Sequence, residues 1–473
     1  MGTRTESELA FLSIEQAARL LRRKEISPVD LVEASLGRIE RWNPAVNAFI
    51  TVLAERARHQ AKAVEREIRR GKLRGPLHGI PISLKDLFWT RGIRTTAGSK
   101  ILSDFVPTKD SAVAAALARA GTILLGKTNM HEFAYGITNE SPHFGPVHNP
   151  WGLDRVSGGS SGGSVAAVAT GMCFASVGSD TGGSIRVPSA LCGIVGLKPT
   201  FGLVSVEGTI PLAVSFDHAG PVARNVTDVC IMLEAIAGKY PKGETRPDYR
   251  KLRKSRPRKI RLGMPQHFYF ERLDGEVRSL VEAAVKTLAS VLRARVKEVP
   301  LARLAGAVDD ATSLLVAEAS YYHESQGYYP ARAAEYGDDV RGHLAWGHNL
   351  RAVDYLRGVE KRREVEADFQ EAFERADILA APTTPIPAPR IGASEVCLEG
   401  ERESTVRAEL LRLTRPANLT GLPAISIPCG FTREGLPVGM QLIGPKWSEA
   451  RLLAVALAYE EATEWHNRHP KLN

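Results

Sequence analysis

Two glycine–serine clusters are the places where this chain could do chemistry. The first, "SGGSSGGSVAAVATG", runs from Ser157 to Gly171; the second, "GSDTGGSIRVPSALCGIVGLKPT", from Gly178 to Thr200. Gly/Ser-rich segments often serve as flexible linkers. A linker needs no apolar continuation, yet "VAAVATG" reads as the first turns of a buried helix closed by Gly171. The first cluster is therefore read as a loop whose backbone passes close to something reactive. In the second, the backbone N–H groups of Thr181, Gly182, Gly183 and Ser184 can converge on one point, because glycine permits close approach and unusual dihedrals. An oxyanion hole needs that convergence, and Ser184 would be the nucleophile at its rim. A serine nucleophile needs a base. No histidine is close in sequence, but "PLHGIPISLKDLF" sets Lys85 alone among apolar residues. Burial weakens a lysine's preference for the charged form. To accept a proton, its pKa must fall from roughly 10.4 toward neutrality.

Other chemistries fit less well. G-x-S-x-G occurs twice, at Gly158–Gly162 and Gly159–Gly163, and is the nucleophile-elbow pattern of α/β-hydrolases. An elbow requires a strand immediately before its serine, whereas "VHNPWGLDRVS" is polar and broken by Pro150 and Gly152. Its acid and base would be Asp217 and His218, whose adjacent side chains should diverge. "HEFAY" begins like a zincin helix but has Tyr135 where a second histidine is needed. "GGSSGGS" lacks the lysine of a P-loop. No metal site and no cofactor is expected.

The chain of 473 residues is 44% hydrophobic and 24% charged, an ordinary globular composition. Length alone allows about three domains, but no low-complexity tract marks a seam. Five scattered cysteines without a CxxC fit free thiols in a reducing compartment. The N-terminal segment has no apolar h-region, and the longest apolar run, "SAVAAALARAGTILLG", is broken by Arg119 and too short to span a bilayer. A cytoplasmic protein without a membrane partner is expected. The net charge is +9, much of it from "RKLRKSRPRKIR", Arg250 to Arg261. No aromatic residues interleave that cluster, so it reads as a solvated connector, and no nucleic-acid partner is expected.

Positioning elements are legible along the chain. "SIEQAARLLRRKE" has helical spacing with Ser13 as N-cap, and "SPVDLVEASLGRIERW" puts Ser27 at the cap and Pro28 at the first helical position. "HGIPISLKDLF" and "AGTILLGKTN" read as short strands around the helical "AVAAALARA", an α/β alternation. Residues 270–380 read as mainly helical. "PAISIPCGF" and "LPVGMQLIG" read as buried strands, and "SEARLLAVALAYEEAT" as a closing helix.

"GPLHGIPISLKDLF", "GGSSGGS", "GSDTGGSIRVPSALCGIVGLKPT" and "ANLTGLPAISIPCGF" together resemble the amidase signature family. The resemblance covers nearly the whole chain, with the long motifs in the family's order. It implies one α/β domain over residues 1–473, a large twisted mixed β-sheet surrounded by α-helices, with a variable, mainly helical region at about 240–400 helping to form the substrate pocket. It also implies a Ser–cis-Ser–Lys triad. Matched residue by residue, Ser184 is the nucleophile, Lys85 the lysine, and Ser160 the bridging serine, by its spacing from Ser184. The Gly159–Ser160 peptide is expected to be cis. The N–H groups of Thr181, Gly182 and Gly183, with Ser184, match the oxyanion hole, and Asp180 and Arg186 match residues bracing that loop. Ser161, Ser164 and Ser189 read as hydrogen-bonded supports, and His131, His143 and His148 as loop structure. Met130, Phe133 and Tyr135 lie where family members line the acyl pocket.

Three functions follow from the resemblance. The first is a stand-alone amidase, monomeric or homodimeric, that hydrolyses a small-molecule carboxamide through an acyl-enzyme. The aromatic stretch "YYHESQGYYP" leans this reading toward apolar or aryl amides, with anilides, esters and carbamates (aryl acylamidase or urethanase activity) as extensions. The second is the A subunit of a tRNA-dependent glutamine amidotransferase. Family A subunits usually carry "DEFAMG" and a later "RYDG", where this chain has "HEFAYG" and no such later element. The third is a non-catalytic binding relative, against which the intact triad speaks.

Overall fold

The apolar runs pair into an eleven-stranded mixed sheet. The computed structural model describes residues 5–243, 245–254, 257, 259–398 and 404–472. Residues 255, 256 and 258 of the basic cluster lie outside the described residues. In chain order the strands are β1 (Phe49–Val52), β2 (Pro81–Lys85), β3 (Ile123–Thr128), β4 (Ala175–Asp180), β5 (Val195–Lys198) and β6 (His218–Ala223). They continue as β7 (Leu262–Met264), β8 (Val296–Glu298), β9 (Ile378–Pro382), β10 (Ala424–Phe431) and β11 (Pro437–Ile443). Their spatial order is β1-β3-β2-β4-β6-β5-β10-β11-β9-β7-β8. β2 runs parallel to both β3 and β4, whereas β6 is antiparallel to β4 and β5. Every residue of β2, β4, β6, β9 and β11 is buried, the condition of strands covered on both faces.

The helix starts obey the local rules. Ser13 Oγ accepts from Gln16 N at 3.0 Å while Gln16 Oε1 accepts from Ser13 N at 2.8 Å, closing a capping box on helix Ile14–Arg22. Helix Pro28–Val46 starts on Ser27 with Pro28 inside its first turn. Helix Gly162–Ala169, buried throughout, packs Val165 and Val168 with Phe49, Ile123 and Leu125 of β1 and β3 in a core cluster. Gly171, at φ +71°, takes a left-handed position just after it. Helices Leu304–Asp310, Thr312–Ser325, Asp338–His348 and Ala352–Arg375 lie between β8 and β9. Strand β8 and the start of β9 also fall within the stretch read as helical. β8 is three exposed residues, too short and too polar to show a period, so only its pairing with β7 reveals it. No helix among the described residues is long and apolar enough to cross a membrane.

Candidate active site

Parallel pairing of β2 with β4 brings their carboxyl ends to one edge of the sheet. In open α/β sheets that edge is where ligands bind. Lys85 is the last residue of β2 and Asp180 the last of β4. The Lys85 side chain is fully buried. Its Nζ donates to Ser160 Oγ at 2.7 Å and to Ser179 Oγ at 2.8 Å. Burial pushes Lys85 down to about 7, with the Asp180 and Asp217 carboxylates pulling the other way. A lysine there can hold or release a proton near neutral pH.

The first glycine–serine cluster is a locked loop. The Gly159–Ser160 peptide is cis. His131 N donates to Ser160 O at 3.2 Å, and Gly162 N donates to Asn139 Oδ1 at 3.0 Å. A Cβ on Gly159 would sit 2.9 Å from Asn139 N, so only glycine allows this approach. Ser161 turns away from Lys85: its Oγ donates to Ser179 O at 3.1 Å. Ser161 N donates to Ser184 O at 3.2 Å, so the two clusters are stitched together one residue from Ser160. A strand, Gly152–Val156, does precede this loop, but it pairs with His148–Asn149 in a small hairpin and bridges to Arg390, outside the main sheet.

The second cluster leaves β4 as a loop and returns as helix Arg186–Cys192. Among the described residues, none of the N–H groups of Thr181, Gly182, Gly183 and Ser184 has a hydrogen-bond acceptor. Ser184 is 4% exposed. Gly183 has φ +139°, and a Cβ there would meet Thr414 Oγ1 at 2.2 Å. Thr414 Oγ1 in turn donates to Gly182 O at 2.7 Å, fixing the loop from behind. Asp180 anchors the loop's two ends. Its Oδ2 accepts from Ile185 N, Arg186 N and Arg186 Nε, and its Oδ1 accepts from Arg186 Nη2 at 3.0 Å and Asn418 Nδ2 at 2.8 Å. Burial alone would raise the Asp180 pKa, but the Arg186 guanidinium outweighs it and holds the carboxyl well below the usual carboxylate range. Arg186 also reaches Asn418 Oδ1 at 2.6 Å and Gln441 Oε1 at 3.3 Å. Both members of this pair are fully buried. Breaking such a pair from one side costs about 3–5 kcal/mol, so Asp180→Asn is expected to lower the urea midpoint of unfolding markedly. An unchanged midpoint would show that Asn418 and Gln441 carry Arg186 alone.

Asp217 and His218 diverge as adjacent residues should. Asp217 Oδ1 accepts from Thr181 Oγ1 at 2.6 Å, and burial raises its pKa to about 6. His218 Nδ1 faces the carbonyls of Phe216 and Asp180, and burial keeps the ring neutral. Neither is hydrogen-bonded to Ser160 or Ser184. Ser164 Oγ meets Thr128 Oγ1 at 2.6 Å, and Ser189 Oγ donates to Ile185 O at 2.8 Å. His131 pairs with Asp339, His143 with Glu132, and His148 with the Leu153 carbonyl.

Met130, Phe133 and Tyr135 are buried. The Phe133 ring packs edge-on against His323, 4.4 Å between centroids, and near Tyr328 and Tyr336. Part of the aromatic stretch therefore packs against Phe133, while Tyr321 is exposed. The Tyr135 ring lies near the Arg407 guanidinium and the His343 ring. Sequence reading gave no role to Ser179, inside the second cluster, which accepts from Lys85, and it missed Thr414, Asn418 and Gln441, which converge on that cluster. It missed Arg415 as well, whose Cγ lies 3.7 Å from where a Gly182 Cβ would be. Asn418 sits in the quoted "ANLTG" motif, but nothing in its spacing announces a contact with a residue more than two hundred positions upstream.

The Amidase family model matches residues 30–453. The chain is 40% identical to the A subunit of glutamyl-tRNA(Gln) amidotransferase from Moorella thermoacetica, over 98% of this chain and 99% of the relative. Among solved structures, an amidase superposes with a TM-score of 0.87 at 37% identity, covering 95% of this chain and 99% of the other. The A subunit of glutamyl-tRNA(Gln) amidotransferase from Thermotoga maritima superposes with a TM-score of 0.75 at 32% identity, covering 97% and 94%. The matched span contains both glycine–serine clusters and the buried lysine that reaches them, and on these likenesses in sequence and in fold the chain belongs to the amidase family.

Proposed function

We propose that the chain cleaves amide C–N bonds through an acyl-enzyme formed on Ser184. Ser184 Oγ attacks the carbonyl carbon. Its proton passes through the Ser160 hydroxyl to neutral Lys85. The same relay returns a proton to the departing nitrogen, and water then attacks the ester to release the acid. The developing oxyanion is met by the unpaired N–H groups of Thr181, Gly182, Gly183 and Ser184. The observation that carries this reading is the 2.7 Å contact between Ser160 Oγ and a fully buried Lys85. Asp180 and Arg186 brace the loop, and the helical region after β8 supplies pocket wall.

Two settings exist for that chemistry. The 40% identity over nearly the whole of an amidotransferase A subunit favours a role in which the chain releases ammonia from glutamine beside partner subunits. That identity supports the amidotransferase setting better than the stand-alone amidase suggested first by the sequence motifs. The closer superposition on an amidase, 0.87 against 0.75, favours the stand-alone setting. One panel separates them: glutamine, an aliphatic amide, an aryl amide and an aryl carbamate, each with the isolated chain. We expect ammonia from glutamine to rise at least tenfold when the partner subunits of a tRNA-dependent amidotransferase and charged tRNA are added. Rapid turnover of the aryl amide by the chain alone, with no response to partners, would return the assignment to the stand-alone enzyme.

A further inference from the structure

The main chain of Ser160 makes a single hydrogen bond among the described residues: its carbonyl accepts from His131 N at 3.2 Å. The relay hydroxyl is therefore tied to the turn at residues 130–136. Phe133 and Ala134 sit in that turn at φ +46° and +59°, left-handed positions that residues other than glycine disfavour. Such backbone persists only where its surroundings fix it. Here the start of helix Asp338–His348 does so. The His131 side chain is 4% exposed, and its Nε2 lies 2.7 Å from Asp339 Oδ2. A carboxylate can only accept, so Nε2–H is the donor. The ring rests on Gly136, where a Cβ would meet three ring atoms at 2.0, 2.1 and 2.3 Å, and only glycine leaves it room. The next residue, Glu132, is fully buried. Its carboxylate accepts from Gly337 N at 2.8 Å, Ser99 Oγ at 2.6 Å and His143 Nε2 at 3.0 Å. Two successive side chains of the turn thus grip one helix start. The same helix carries His343, whose ring centroid lies 5.0 Å from that of Tyr135.

A relay works only while its hydroxyl stays in line, and a misplacement of about 1 Å costs about 10²-fold in rate. Resting on the hydrolase reading above, we infer that His131 is a positioning residue: paired with Asp339, it fixes the N–H that holds the Ser160 carbonyl, and so keeps Ser160 Oγ aimed at Lys85. His131 is then more than loop structure. The docking of helix Asp338–His348 reaches the relay through it, although no residue of that helix is hydrogen-bonded to Ser160 or Lys85 among the described residues.

His131→Ala removes a buried ring, so the test is made on its partner. The Asp339 side chain is 46% exposed, and Asp339→Ala should fold with an unchanged thermal midpoint. Its kcat on any amide of the panel above is expected to fall about fivefold or more, with KM within about twofold. A smaller fall, or one carried by KM, overturns the proposal. Asp339→Asn keeps an acceptor for Nε2–H and should recover kcat; an asparagine variant no faster than the alanine one overturns it. In a Ser160→Ala background, Asp339→Ala should cost less than about twofold, since no hydroxyl is left to aim. A larger loss there shows that Asp339 acts on something other than Ser160. Hydrogen exchange of the amides at residues 129–136 reads the same pair without chemistry. It should quicken about fivefold or more in Asp339→Ala, and a smaller change overturns the proposal whatever the kinetics show. If the chain turns over no amide of the panel, the rate of fluorophosphonate labelling at Ser184 takes the place of kcat. Should Ser184 resist labelling altogether, the hydrolase reading falls, while exchange still decides whether Asp339 holds the turn that carries Ser160.

Discussion

Ser184→Ala is expected to lose amide turnover by about 10⁴-fold or more while remaining folded. Removing the nucleophile of a group that acts as a unit costs about as much as removing the unit. The side chain is small and sits in a loop held by Asp180, Thr414 and Arg186 rather than by its own hydroxyl. Folding should therefore survive, as circular dichroism and thermal midpoint would report. Ser160→Ala is expected to lose less, because a water can take the place of a relay hydroxyl next to Lys85. Ser161→Ala should be milder still, since Ser161 Oγ is turned to the Ser179 carbonyl. Substantial turnover in Ser184→Ala would remove Ser184 as nucleophile. A larger loss in Ser161→Ala than in Ser160→Ala would reassign the bridge.

Lys85 gives the second large effect, and it carries a pH signature. General acid–base catalysis contributes about 10²–10⁴-fold, so Lys85→Ala should lose that much. Lys85→Arg should be no better, because a guanidinium stays protonated. In the native chain the ammonium form holds no free lone pair. As pH rises through about 7, Lys85 loses its proton, and kcat/KM should climb about tenfold per pH unit before levelling off on the alkaline side. The sign is the test: an optimum near pH 5 would require a carboxylate base instead. The stability linkage runs the same way. An unfolded lysine titrates near 10.4, so between about 7 and 10 the unfolded chain binds the extra proton, and this group's contribution to stability falls as pH drops through that window.

Local order was legible in the chain itself. Capping boxes, apolar periods and glycine stops depend on residues three or four apart, so Ser13, Ser27 and Gly171 could be read as helix boundaries without a fold. The glycine–serine clusters and a lysine inside an apolar run were equally visible, because their oddity is compositional. Pairing was not visible. That β2 lies beside β4, bringing Lys85 to Ser179 and Ser160, depends on register across the sheet. The hairpin strand Gly152–Val156 and the edge strand β8 are too short or too polar to carry a period, and exist through their partners. Arg415 marks the same boundary. In sequence it is one arginine among many before a proline. It becomes a half-buried cation against Gly182 only when a short helix near the C-terminal strands docks on a loop from the middle of the chain. Charge and burial belong to that docking, since the cost of desolvating a cation is set by what surrounds it in space and not by its neighbours in the chain.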